Sequence, residues 1–67
     1  MKIRILKGTL VELQKTRLNE TWDRYLNKWD EISIESINVV GKFAHLTTRD
    51  GDVIQHIPVD AFEVVKG

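Results

Sequence analysis

Residues 44–57 read AHLTTRDGDVIQHI, and this stretch contains the strongest local signal in the sequence. Asp50 and Gly51 lie between two runs in which apolar and polar residues alternate, which is typical of a β-hairpin with a two-residue turn. Such a turn needs a positive φ at both central positions, and an Asp-Gly pair tolerates this conformation. The stretch therefore predicts a hairpin in which His45 lies opposite His56.

The two faces of this hairpin differ in their predicted surroundings. The face that we expect to line the core holds Ala44, Leu46, Val53 and Ile57. The outward face then holds His45, Thr47, Ile54 and His56. Pro58 ends the second strand, because proline cannot donate a hydrogen bond in a central strand. Beyond it, residues 59–61 are predicted to form a single turn and residues 62–65 a final short strand.

Two further strands are indicated by alternating or β-branched residues. Ile3 and Ile5 alternate with basic residues in the first six positions, as expected of a strand with one buried face. A later run contains the β-branched residues Ile32, Ile34, Ile37 and Val39. Its alternation slips by one residue at Glu35 and Ser36, which predicts a β-bulge or a sharp bend there.

The segment from about residue 17 to residue 29 changes to a helical period. Its large apolar side chains recur at spacings that place them on one helical stripe about 100° wide. These residues are Leu18, Trp22, Tyr25, Leu26 and Trp29. Thr16 or Asn19 is the expected N-cap, and Glu20 is expected to pair with Arg24 one turn later. The sequence therefore predicts one amphipathic helix between the strands.

The order of signals in residues 32–65 adds a resemblance to this pattern. Bent strands are followed by the Asp-Gly hairpin, an Ile-Pro step, a one-turn helix and a closing strand. In this order the segment resembles the small SH3-like and Sm-like barrels. The resemblance implies a mainly β (α+β) fold, namely a small SH3-like five-stranded barrel with the helix of about residues 17–29 inserted in it. We expect a single small-barrel domain over residues 1–67, since a chain of this length has room for one core.

Two families supply more detailed resemblances within this segment. The sequence HIPVDAFEVV is similar to the proline and one-turn helix of peptide-binding SH3 domains, although their acidic loop and groove tryptophan are not evident after Val40. The matching positions are Ile57, Pro58, Ala61 and Phe62. The sequence VIQHI is similar to bacterial Sm-like RNA chaperones, where His56 matches the histidine of a Tyr-Lys-His step. Ile54 and Gln55 stand at the tyrosine and lysine positions of that step.

The composition limits the classes of function. Ten basic residues balance ten acidic ones, so the net charge provides no general attraction to nucleic acid or to anionic membranes. The chain has no cysteine, which excludes disulfides and thiolate metal sites and fits a reducing compartment. Its apolar runs are far shorter than the roughly 20 residues of a transmembrane helix, and no signal peptide is evident. We therefore expect a cytoplasmic protein with no cofactor, no membrane partner and no small-molecule substrate.

Trp22, Tyr25 and Trp29 are the candidate protein-binding residues. Aromatic residues at helical spacing usually face the core, which is one interpretation. The other is that part of the stripe is exposed as an interface, because Trp and Tyr are enriched at the energetic centres of interfaces. A small barrel covers only part of such a stripe. The aromatic residues thus predict docking to a partner protein or self-association as a symmetric dimer.

The first 28 residues carry an excess of positive charge, which favours an alternative function in nucleic-acid binding. The candidate phosphate-binding residues are Lys2, Arg4, Lys7, Arg17 and Arg24. His45 and His56 are the only candidate metal pair, and this face of the hairpin offers no third ligand. Ordinary surface histidines and a pair that repels when protonated are the alternatives.

Enzyme activity is not expected, because acid-base catalysis needs carboxylates sheltered together in a cleft and so short a chain rarely encloses one. We therefore predict a non-enzymatic, regulatory protein-interaction module. Its helix stripe and an adjoining barrel edge are expected to bind a partner protein or a second copy, giving a homo-oligomer. The alternative is a nucleic-acid-binding small barrel of Sm-like or related type.

Overall fold

Residues 1–65 of the protein form seven antiparallel strands connected by short turns. The computed structural model describes residues 1–65. The strands are β1 (Lys2–Ile5), β2 (Thr9–Lys15), β3 (Glu20–Leu26), β4 (Glu31–Val40), β5 (Phe43–Thr48), β6 (Val53–Pro58) and β7 (Phe62–Val65). A 3₁₀ turn over Val59–Ala61 connects β6 to β7. The single turn and the closing strand that the sequence predicts after Pro58 are thus confirmed.

All seven strands belong to one open sheet in the order β3-β2-β6-β5-β4-β1-β7. β3 and β7 are its two edges. Inward-facing residues of β1 to β6 and of the 3₁₀ turn form a single hydrophobic cluster, so the sheet curls around its core without closing. The buried residues are Ile3, Ile5, Val11, Leu13, Leu26, Ile34, Ala44, Leu46, Ile54, Ile57 and Ala61. The predicted five-stranded barrel is therefore wrong in both strand number and closure.

The predicted helix over about residues 17–29 is also wrong, since residues 1–65 contain no α-helix. β3 occupies most of that segment and pairs with β2 along its whole length. An isolated helix of this length is marginal in water, whereas the strand gains a cross-strand neighbour at every position. Threonine, tryptophan and tyrosine, which β3 contains at Thr21, Trp22 and Tyr25, also favour strands. In the described part of the chain, no helix is long and apolar enough to cross a bilayer.

The two candidate helix caps lie instead in the turn between β2 and β3. The amide of Leu18 donates to the carbonyl oxygen of Lys15 at 3.0 Å, and the amide of Asn19 donates to that of Thr16 at 3.4 Å. Asn19 has a φ of 52°, a left-handed conformation that asparagine tolerates better than most residues. This turn returns the chain directly into β3.

The bulge predicted in the strand that follows is confirmed. The pairing of β4 with β5 shifts between Ile34 and Ser36. Because of this shift, Ile34 is buried and Ile37 packs against the same core, although they are three residues apart.

The hairpin of β5 and β6 forms around Asp50 and Gly51, but its turn has three residues instead of two. The amide of Thr48 donates to the carbonyl oxygen of Asp52 at 2.8 Å, and the amide of Gly51 donates to that of Thr48 at 3.0 Å. Arg49, Asp50 and Gly51 are therefore the loop. A glycine with positive φ at the third position is typical of three-residue hairpins, and Gly51 has a φ of 90°.

The longer turn changes which residues face the core. Leu46 pairs with Ile54 instead of Gln55. Ile54 is therefore buried and Val53 is only partly buried, the reverse of the predicted faces. A second irregularity follows at His56, which has a φ of 60°. Beyond this bulge the pairing returns to the predicted register.

Replacing Gly51 by valine is expected to lower the free energy of unfolding by about 1–2 kcal/mol. The cause is conformational, because a Cβ at Gly51 meets no atom within 4 Å while its φ of 90° disfavours a β-branched residue. Urea unfolding followed by circular dichroism measures the change. Arg49→Val in the same loop is the control, since Arg49 does not have a positive φ. Equal stability of the two variants contradicts the three-residue turn.

Candidate functional site

β3 is the most exposed strand of the sheet. Six of its seven residues are exposed, and only Leu26 at its end is buried. As an edge strand it is paired only with β2, so the outward backbone groups on its other side have no strand partner in the described chain. We call this feature, residues 20–26 with their free backbone side, the β3 edge.

Trp22 lies on the inner face of the β3 edge. It is paired with Leu13, a core residue of β2, yet it is 53% exposed because no strand follows β3 on its free side. Its indole nitrogen Nε1 donates a hydrogen bond to Oε2 of Glu20 at 2.9 Å. Because side chains alternate along a strand, Glu20 and Arg24 share this face with Trp22. The inner face therefore presents an aromatic ring between an acidic and a basic side chain.

Tyr25 lies on the outer face of the β3 edge. It is paired with Leu10 of β2, and the two residues are 57% and 63% exposed. The tyrosine hydroxyl lies over Gly8, where an added methyl group would overlap it. The absence of a side chain at Gly8 thus lets the ring lie flat along the surface. Tyr25 and Leu10 together form a small apolar surface on this face.

Trp29 lies in the turn between β3 and β4, which is fastened to β1. Its amide donates to the carbonyl oxygen of Ile5 at 2.7 Å, and the amide of Ile5 donates to that of Asp30 at 2.8 Å. The φ of 75° at Trp29 is a left-handed conformation that costs a bulky residue about 1–2 kcal/mol. The indole is 62% exposed, with the Lys28 ammonium 5.0 Å from the ring centroid. Backbone strain of this kind concentrates at functional sites.

The three aromatic residues that the sequence places on one stripe thus lie on three different surfaces. Trp22 and Tyr25 are three residues apart, a spacing that shares one face of a helix but takes opposite faces of a strand. All three are more than half exposed, so none of them belongs to the core. Their role as an interface stays a prediction.

Glu20 of the β3 edge and Leu10 of the neighbouring strand β2 also belong to the candidate site, although the sequence pattern does not single them out as site residues. The helical interpretation does not identify them, because it pairs Glu20 with Arg24 on the helix and leaves Leu10 in a separate element. If residues 20–26 are treated as a strand, alternation places Glu20 on the same face as Trp22 and places Tyr25 on the opposite face. Pairing of this strand with β2 then places Leu10 beside Tyr25.

A polar cleft of about 460 Å³ lies beside the β3 edge. Its charged lining residues are Lys15, Arg24, Glu31, Arg49, Asp50 and Asp52. Nζ of Lys15 lies 2.8 Å from Oδ2 of Asp52, and both side chains are largely shielded from solvent. Three basic and three acidic groups balance in this cleft, so it favours neither an anion nor a cation.

The basic residues of β1 are paired with carboxylates of both neighbouring strands. Arg4 lies in register with Glu31 of β4 and Glu63 of β7, at N–O distances of 3.0 Å and 3.3 Å. The hydrogen bond to Glu31, together with the charge of both carboxylates, raises the pKa of the Arg4 guanidinium above its usual value. Nζ of Lys2 lies 3.7 Å from Glu31. These residues therefore support strand pairing, and a phosphate group would compete with their carboxylate partners.

Lys7 is also paired, with its Nζ 2.8 Å from Oδ2 of Asp60. This hydrogen bond holds the pKa of the Asp60 carboxyl below its usual value. Arg17 lies in the β2–β3 turn and Arg24 on β3, and neither forms an ion pair with another described residue. Three of the five candidate phosphate-binding residues therefore have a carboxylate beside them, and Arg17 and Arg24 are the two without an ion pair in the described part of the chain.

His45 and His56 are neighbours on the outer face of the hairpin. Their ring centroids lie 5.3 Å apart, and the ring of Phe43 meets His56 edge-on at 6.3 Å. The histidines are therefore adjacent, as predicted, although the bulge rather than a regular register brings them together. Within residues 1–65, no group of three or more metal-ligating side chains is placed to hold an ion.

Comparison of the chain with protein-family models, curated proteins and solved structures gives no significant match. The resemblance of residues 32–65 to SH3-like and Sm-like barrels therefore remains a prediction.

Proposed function

We propose that the protein is a non-enzymatic interaction module that binds an extended segment of a partner protein along the β3 edge. The observation that supports the proposal is a free edge strand with Trp22 and Tyr25 on its two faces, both more than half exposed. When a strand is added to a sheet, main-chain hydrogen bonds supply affinity and alternate side chains supply specificity. The β3 edge offers both. Since the chain has no cysteine, we place this module in the reducing cytoplasm.

The exposed aromatic residues support binding because they are costly in an unbound protein. A hydrophobic edge strand invites aggregation, and natural sheets usually protect such edges. Tryptophan and tyrosine, here half-exposed, are enriched among the residues that anchor interfaces. The strained backbone of the exposed Trp29 adds a second cost that a purely structural role does not require.

Nucleic-acid binding has less support than protein binding. Three of its five candidate residues, Lys2, Arg4 and Lys7, are in ion pairs with carboxylates. The two functions also differ in salt dependence, since phosphate binding weakens steeply as salt is added. Salt-sensitive retention on heparin or single-stranded nucleic acid at low ionic strength favours this alternative, and no retention contradicts it.

Quantitative affinity enrichment with Trp22→Ala tests the proposed function. The substitution removes the inner-face anchor and is expected to lower recovery of the partner protein at least about tenfold. Val64→Ala is the matched control, because Val64 is exposed to a similar degree but lies on the other edge strand, β7. Circular dichroism verifies that each variant is folded. Equal recovery with wild type and Trp22→Ala contradicts the proposal.

A further inference from the structure

We propose that the β3 edge binds the β3 edge of a second copy of this chain, paired antiparallel about a two-fold axis at Trp22. This inference rests on the proposed function and names its partner. In such a dimer, Trp22 of each copy lies opposite Trp22 of the other. Glu20 of one copy then lies opposite Arg24 of the second copy, and this contact occurs twice. Thr21 likewise lies opposite Asp23 of the second copy.

Strand alternation leaves few registers for this pairing. A two-fold axis perpendicular to the sheet brings residues of the same face opposite each other, so the axis must pass beside a residue. An axis at Asp23 sets this carboxylate against its own copy, and an axis at Arg24 does the same with the guanidinium. Like charges directly opposite are destabilising. An axis at Thr21 or at Tyr25 pairs only three residues of β3, and an axis at either end residue pairs only one. Trp22 is therefore the register that remains.

The charges of the inner face fit a second copy. Neither Glu20 nor Arg24 forms an ion pair with another described residue, and four residues of strand keep them about 13 Å apart. Charges that point inward at an edge normally reject an added strand. Here they have opposite signs and lie symmetrically about Trp22. A copy rotated by the two-fold axis supplies both complements, whereas a strand without a basic residue opposite Glu20 and an acidic residue opposite Arg24 leaves charges unmatched.

The central position of Trp22 suits an interface anchor. Pairing covers the half-exposed indole with its own copy, and the two Glu20–Arg24 contacts surround it as a polar rim. The hydrogen bond from Nε1 of Trp22 to Oε2 of Glu20 already orients the carboxylate. Its other oxygen remains available to accept from the guanidinium of the second copy. Little conformational freedom is then lost on association.

The second free edge, β7, gives a different assembly. Pairing β3 of one copy with β7 of the next is a head-to-tail contact, which generates rings or open chains instead of a dimer. On β7, Glu63 is already paired with Arg4. The mass of the assembly therefore distinguishes this head-to-tail contact from the β3–β3 dimer, and the charge reversals on β3 identify the edge.

Charge reversal with cross-complementation tests the register. Sedimentation equilibrium of the wild type is expected to show a concentration-dependent dimer. Glu20→Arg and Arg24→Glu each turn two attractive contacts into two repulsive ones, so each is expected to raise the dimer dissociation constant about thirtyfold. An equimolar mixture of these two variants is expected to form a heterodimer. The double variant Glu20→Arg/Arg24→Glu is expected to regain the homodimer.

One control variant and one reporter variant complete the experiment. Glu12→Arg reverses an exposed charge on the outer face of β2 and is expected to leave the dimer unchanged. Trp29→Phe leaves Trp22 as the only tryptophan. The fluorescence emission of Trp22 in this variant is expected to shift to shorter wavelength as the dimer forms.

The outcomes separate this inference from the proposed function. A wild-type protein that is monomeric at every concentration, a larger assembly, or a mixture without heterodimer overturns the self-pairing. If Trp22→Ala still abolishes recovery of another protein, the proposed function stands without the self-pairing. If the wild type is monomeric and Trp22→Ala recovers as much of another protein as the wild type does, both the self-pairing and the proposed function are overturned.

Discussion

Replacing Ile54 by alanine is expected to lower the free energy of unfolding by about 3 kcal/mol, whereas Val53→Ala is expected to lower it by less than about 1 kcal/mol. Ile54 is 2% exposed and pairs with Leu46 on one side and Leu13 on the other. The alanine leaves a cavity at the centre of the sheet, since close-packed neighbours relax only in part. Val53 is partly exposed and leaves no such cavity.

Urea unfolding of the two variants measures this difference. A chain of this size has a net stability of only a few kcal/mol, so Ile54→Ala is expected to show a large unfolded fraction even without denaturant. In a hairpin with a two-residue turn, Val53 faces the core and the order of the two effects reverses. A larger loss in Val53→Ala therefore contradicts the three-residue turn and the bulge at His56.

Leu26→Ala is expected to destabilise the protein by about 3 kcal/mol, and Trp22→Ala by less than about 1 kcal/mol. Leu26 is completely buried and is the one residue of β3 in the core cluster. Trp22 is larger but more than half exposed, so its truncation removes few packing contacts. On a helical stripe the two residues share one face, and similar losses are expected for both.

Thermal unfolding followed by circular dichroism, at a concentration where the protein is monomeric, measures the two effects. Leu26→Met is the control for Leu26→Ala, because it nearly conserves the buried volume and is expected to cost less than about 1.5 kcal/mol. If Trp22→Ala unfolds the protein as strongly as Leu26→Ala, Trp22 is a core residue. The β3 edge is then not a binding surface.

Elements with strong local signals were predictable from the sequence. The alternation of Ile3 and Ile5 marks β1, the break at Glu35 and Ser36 marks the bulge of β4, and Pro58 marks the end of β6. Each of these signals acts through neighbouring residues, because turn conformation and side-chain alternation are properties of a few consecutive positions.

The sequence singled out the three aromatic residues as candidates, but it predicted neither their geometry nor the presence of Leu10 and Glu20 beside them. Trp22, Tyr25 and Trp29 are exposed, but on separate surfaces of an edge strand and a turn. The spacing of apolar residues in this segment is compatible with a helix as well as with a strand whose two faces are both partly apolar. Sequence pattern alone does not distinguish the two for a short segment.

The sequence by itself determined that turns lie near Gly51 and after Pro58, that charges balance, and that apolar residues suffice for one small core. Tertiary structure alone decided that residues 20–26 are a strand, because β2 supplies a partner along their whole length and the core receives Leu26. It also decided the register of the hairpin. A uniform two-residue register turns Gln55 toward the core, whereas the three-residue turn and the bulge bury Ile54 and let Gln55 donate to Oε1 of Gln14 at 2.8 Å. Burying the Gln55 amide without a hydrogen-bond partner is costly, and the bulge avoids this cost only once β2, β5 and β6 lie side by side.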